Sequence, residues 1–221
     1  MTPPPSSLAK DLIRIHKVIT RSINVSLGKG KEYVQVGFPT SGMQQGYSSY
    51  IHCLTSILDS HHTSEDEIAF PAFRKVLPLA PYAQLTAEHH QVEKLLAKAP
   101  PWIEKLTSDK YEDALRSLVN FLEDLSRLWF PHIQVEEEYF SEAVLNAVLN
   151  PEEQGRISAA TGQHSQEHSG PPYWVVPFVL YNLEHDERAV MASSFPPEIM
   201  DVLIPKVWKD QWAPMKPYLL D

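Results

Sequence analysis

The chain has 221 residues, a formal net charge of −9 and one cysteine, Cys53. That length gives one sizeable domain with a real core, or one domain plus an extension. The acidic balance argues against a broad nucleic-acid or anionic-membrane surface. A single cysteine excludes an intrachain disulfide and suits a reducing, cytoplasmic setting.

The N-terminal stretch Met1-Thr2-Pro3-Pro4-Pro5-Ser6-Ser7 lacks the basic, apolar pattern of a signal segment, and residues 1–6 read as a flexible tail. Ser6 or Ser7 caps a first helix carrying Leu8, Leu12, Ile15, Ile19 and Ile23, with His16 on the same inward face. Gly28 or Gly30 is expected to end it, and residues 28–42 read as a loop.

The second helix starts near Gly42. Leu54, Leu58, His61, Glu65 and Ile68 step by four and three, so a histidine and a glutamate stand on its buried seam. Pro71 predicts a kink or a stop. Leu77-Pro78-Leu79-Ala80-Pro81 is a hinge. The third helix carries Leu85, His89, Val92 and Leu96 on one face and ends at Pro100-Pro101.

The fourth helix spans roughly 110–148, bent at Pro131. Leu115, Leu118, Leu122, Leu125 and Trp129 mark its seam, and His132, Glu136 and Tyr139 occupy the next steps. A helix with one inward histidine therefore precedes a helix with inward His-x-x-x-Glu, and the pair recurs. Short connections between four such helices predict an all-α fold, an antiparallel up-down four-helix bundle over residues 1–150. Residues 151–172 are polar with several glycines and read as a connector. Residues 173–221, rich in Trp, Tyr and Pro, read as short helices packed on the bundle. The longest apolar run of that part, Trp174 to Tyr181, is too short to span a bilayer.

Burying a carboxylate is costly unless it is paired or binds a metal. His16, His61, Glu65, His89, His132 and Glu136 converge on one bundle interior, which predicts a binuclear metal site. Nitrogen and oxygen donors without thiolate suit iron, manganese or zinc. The ferritin-like alternative needs Glu-x-x-His, and no histidine here has a glutamate three residues earlier.

His16, then His61-His62-Thr63-Ser64-Glu65-Asp66-Glu67, then Glu88-His89, then His132-Ile133-Gln134-Val135-Glu136-Glu137 resembles the hemerythrin-like, HHE cation-binding family over about residues 8–148. The resemblance implies a bundle holding two non-haem iron ions. It implies His16, His61, His89 and His132 as terminal ligands, with Glu65 and Glu136 bridging. The chain departs from the oxygen carriers of that family. Their third helix bears His-x-x-x-His, where Glu93 follows His89 here, and their fourth bears His-x-x-x-x-Asp.

His62 lies about 100° around the helix from His61, which predicts a place outside the ligand set. His90 and Glu93 are read the same way. Asp66, Glu67, Glu137 and Glu138 read as a solvated acidic face, some of them orienting imidazoles. The function expected is a non-enzymatic di-iron protein that binds or senses dioxygen, iron or a related small molecule. The alternatives are a di-iron enzyme acting on peroxide, oxygen or nitric oxide, and a metal-stabilised protein-interaction module.

Overall fold

The computed structural model describes residues 7–221, and every element among them is helical. The tail expected over residues 1–6 lies outside the described residues. Helix α1 (Leu8–Val36) starts at Ser7, whose hydroxyl accepts the Lys10 N–H and so satisfies one of the free donors of the first turn. The helix does not end at Gly28 or Gly30. It continues to Val36 and stops where Gly37 takes a φ of 76°. Gly30 is a packing residue. A Cβ there would lie 2.5 Å from the Tyr47 hydroxyl and 2.9 Å from a Val119 methyl. The roughly 1 kcal/mol that glycine costs inside a helix is offset by that close approach.

Helix α2 (Ser41–Ser64) is capped by Thr40, whose hydroxyl accepts the Met43 N–H. It runs straight into a π-helical turn over Glu65–Ala69 and then a short helix, α3 (Phe70–Phe73). The π turn widens the helix just before Pro71, whose ring clashes with the carbonyl four residues back in regular α geometry. The extra residue shifts the buried register by one: Ala69 and Phe70 are buried, while Ile68, expected on the seam, is only half-buried.

Helix α4 (Tyr82–Leu96) follows the proline hinge and buries Leu85, His89, Val92 and Leu96 as its spacing requires. Helix α5 (Pro100–Lys105) comes next, and then α6 (Glu112–Tyr139). Leu115, Leu118, Leu122, Leu125, Trp129, His132 and Glu136 are all buried on α6. The seam ends there, contrary to the reading that placed Tyr139 inside and ran the helix to 148. Tyr139 is 41 % exposed, and the helix breaks at Phe140 with φ −115° and ψ 27°. Leaving the helix turns Phe140 inward among Phe70, Phe73 and Tyr82, and the chain resumes as α7 (Glu142–Val148). Helices α1, α2, α4 and α6 form the bundle, with α1 packed on α2 and α6, and α4 on the same two.

Residues 151–172 are not an irregular connector. Asn150 and Glu153 form a reciprocal capping box around Pro151 and start a regular helix, α8 (Pro151–His168). Gly155 and Gly162 lie within it and face open space. Then come α9 (Pro172–Tyr181), α10 (His185–Ala192), a π-helical stretch (Ile199–Val207), α11 (Lys209–Trp212) and a 3₁₀ stretch (Ala213–Tyr218).

Helices α8 and α9 and the 3₁₀ stretch all lie on α2. A Cβ on Gly46 would fall 1.8 Å from the Pro214 carbonyl oxygen, so only glycine permits that approach. Tyr218 sits within ring contact of Tyr33, Tyr47 and Tyr50, and its hydroxyl donates to the Met43 carbonyl at 2.7 Å. Among the described residues no helix is long and apolar enough to cross a membrane.

Candidate metal centre

The six residues expected to converge do so. His16 comes from α1, His61 from the last turn of α2, Glu65 from the π turn, His89 from α4, and His132 and Glu136 from α6. All six are at least 95 % buried. A seventh side chain joins them. His62, placed outside the set by its angle on an ideal helix, is buried to the same degree, and its ring stacks on His89 at 4.0 Å with 14° between the planes. Helix α2 packs on α1, α4, α8 and α9, so it buries more than a single seam.

The donor atoms fall into two groups, one of His62, His89 and His132 and one of His16, His61, Glu65 and Glu136. Glu136 faces both. One of its oxygens lies 3.4 Å from His16 Nε2, and the other lies 3.3 Å from His132 Nε2 and 3.6 Å from His89 Nε2. One oxygen of Glu65 lies 3.5 Å from His61 Nε2 and 3.6 Å from His89 Nε2. Each carboxylate thus lies within 3.6 Å of histidines from both groups.

Three imidazoles are held from behind by carboxylates. His16 Nδ1 lies 3.0 Å from Glu137, His89 Nδ1 2.9 Å from Asp66 and His132 Nδ1 2.8 Å from Glu88. A carboxylate only accepts, so each Nδ1 carries a hydrogen and each ring turns its Nε2 inward. His89 Nε2 and His132 Nε2 then meet at 3.0 Å. Two lone pairs at that distance repel unless a proton or a cation lies between them.

The other inward atoms lack partners. Nε2 of His16, His61 and His62, one oxygen of Glu65 and both of Glu136 are buried without a hydrogen bond. Buried polar atoms in a folded protein are ordinarily satisfied. A cluster of orphaned imidazole nitrogens and carboxylate oxygens could hold a metal ion.

Apolar rings wall part of the centre. The Trp129 ring stands 5.7 Å from His16 and 6.1 Å from His61, with its indole N–H anchored on Thr20 at 2.9 Å. Phe70 stacks on His89 at 5.5 Å.

Burial has opposite outcomes on the two carboxyls. It pushes Glu65 well above the usual carboxylate range, with the Glu136 and Asp66 charges adding to the effect. Burial would raise Glu136 as well, but His132, His16 and His89 hold it well below. His61 and His62 are pushed well below the usual histidine range by burial and by the other imidazoles. Burial opposes a charge on His16, yet Glu136 and Glu137 bring it up to about 9.

The remaining candidates separate cleanly. His90 and Glu93 lie 3.4 Å from each other on the surface, with side chains 62 % and 70 % exposed. Of the acidic residues after the ligand pairs, Asp66 and Glu137 orient imidazoles, and Glu67 and Glu138 are exposed. Glu88, directly before His89, orients His132 on the opposite helix, a contact across helices that linear spacing does not reveal.

A family model, the hemerythrin HHE cation binding domain, matches residues 11–144. No curated protein and no solved structure matches the chain. The family match covers more than half of the chain and both inward His-x-x-x-Glu pairs, so this protein belongs to the hemerythrin HHE cation-binding family.

Proposed function

We propose that the chain is a non-haem di-iron protein that binds or senses dioxygen, iron or a related small molecule. The observation that carries this reading is the approach of His89 Nε2 to His132 Nε2 at 3.0 Å, with both rings donating outward to carboxylates. Nitrogens bound side by side on one ion at about 2.0–2.1 Å are about 3 Å apart.

His62, His89 and His132 would hold one ion, and His16 and His61 the other. Glu136 and Glu65 would reach both. A bound pair of redox-active ions would supply small-molecule binding and electron transfer. The chain's own work is to present neutral imidazoles, to fix their rings through Asp66, Glu88 and Glu137, and to keep water out with Trp129 and Phe70.

A second reading, a di-iron enzyme acting on peroxide, oxygen or nitric oxide, is favoured by one observation. A surface groove of about 350 Å³ reaches His62 and His89, which gives a small substrate a route to one side of the centre. Metal analysis of protein purified without added metal, with optical spectra recorded before and after admitting air, tests the first reading. About two iron ions per chain and an air-dependent spectrum support it. Zinc with a spectrum indifferent to reductant and air overturns it. Turnover of peroxide or nitric oxide would favour the enzyme.

A further inference from the structure

The groove that reaches the centre is acidic, and apart from Asp66, which holds His89, its carboxylates touch none of the proposed ligands. It lies between α2 and α4 and has His62 and His89 at its inner end. Asp59, Glu67 and Glu93 line it further out. A second hollow of about 450 Å³ adjoins it and shares Asp59, Glu93 and Leu96, so the two form one groove. Partial burial raises the Asp59 carboxyl, and the facing Glu93 charge raises it further.

Two like charges across a groove cost free energy that a cation between them would remove. At the inner end, His62 is buried, and its Nε2 has no hydrogen-bond partner. His62 therefore belongs both to the wall of the groove and to the donor group of His62, His89 and His132. The other histidine on this wall near the mouth, His90, is exposed and already beside Glu93.

We propose that this groove is the entry route for the metal, in which Asp59 and Glu93 capture a hydrated divalent cation and His62 is the first imidazole to bind it. This rests on the metal-centre reading above. The carboxylates attract the cation from solution and raise its local concentration, as like-charged clefts do. His62, whose buried Nε2 has no partner, would then exchange a water of the cation for nitrogen and pass the ion toward His89 and His132. An anion meets the opposite field, so the same groove disfavours small anionic ligands.

The test is the rate of metal uptake by the metal-free full-length protein, mixed anaerobically with ferrous ion and followed by rapid chelator quench. The comparison is wild type, D59N/E93Q, and a charge-matched control, E198Q/D201N, whose exposed carboxylates lie outside the groove. The groove variant is expected to load about tenfold more slowly at low salt, to lose most of its salt dependence, and to reach the same final metal content. The control loads like wild type. Equal rates in wild type and D59N/E93Q would overturn the entry route, as would equal slowing in the control. A wild-type protein that takes up no metal overturns the metal-centre reading itself, which keeps the two failures distinct.

Discussion

His62 and His89 come from different helices and stack ring on ring at 4.0 Å, with His62 one residue past the histidine that the seam points to. The pair sets the two adjacent histidines of α2 to different tasks. His61 faces the group with His16, Glu65 and Glu136, and His62 the group with His89 and His132. His61→Ala and His62→Ala are each expected to lower metal content by about one ion per chain, and the double variant to bind little. Metal analysis by mass spectrometry reads this directly. Full occupancy in His62→Ala would remove His62 from the ligand set.

The outward carboxylates give a second prediction. Glu88→Gln and Asp66→Asn leave the donor atoms in place but weaken the grip on His132 and His89. Metal affinity in a chelator-competition assay should fall about 10–100-fold in each, with the helical content unchanged. Loss of helicity in parallel would mean that the carboxylates support the fold rather than the centre.

Much of this architecture is written in the spacing, and the exceptions share a cause. The seams of α4 and α6 and the six convergent residues follow from steps of three and four. Gly30 was legible only as a breaker, because a close contact with Tyr47 is a tertiary fact. His62 escaped because α2 is packed on several sides and passes into a π turn, which a strict helical period does not describe. The α8 helix had a local signal, Asn150-Pro151-Glu152-Glu153, an N-cap, a proline in the first turn and a glutamate at the capping-box position. The glycines that follow outweighed it.

Acidity supplies a third prediction. Ligands bind metal in their deprotonated forms. His16 in the metal-free protein is held up to about 9, so at neutral pH it must lose a proton when it binds an ion. Raising pH removes that cost until the pH passes 9. Apparent affinity should therefore climb by about tenfold per pH unit from pH 7 and flatten near pH 9, if one proton leaves. Glu65, raised by burial, adds a further proton release in the same direction. Calorimetry in buffers of different ionisation enthalpy counts those protons. An affinity that is flat between pH 7 and 9 would show that His16 is not displaced from a proton by metal.

The last prediction concerns the C-terminal helices. Phe178, Leu180, Met215 and Tyr218 share one continuous core with Ile19, Ile51, Leu54 and Leu122 of the bundle. Arg21 of α1 donates to the Tyr218 carbonyl at 2.9 Å and also reaches Asn182, which accepts from the Tyr50 hydroxyl at 2.6 Å. A fragment of residues 1–150 would therefore bare an apolar face of α2 and take from Tyr50 and Arg21 their partners Asn182 and Tyr218. It should precipitate or melt far below the full chain. Gly46→Ala probes the same contact without removing anything. Its methyl collides with the Pro214 carbonyl, backbone that cannot rotate away, and a cost of about 1–3 kcal/mol is expected. Melting curves followed by circular dichroism measure both. A 1–150 fragment that stays soluble, keeps its metal and melts with the full chain would show that the C-terminal helices are dispensable to the bundle.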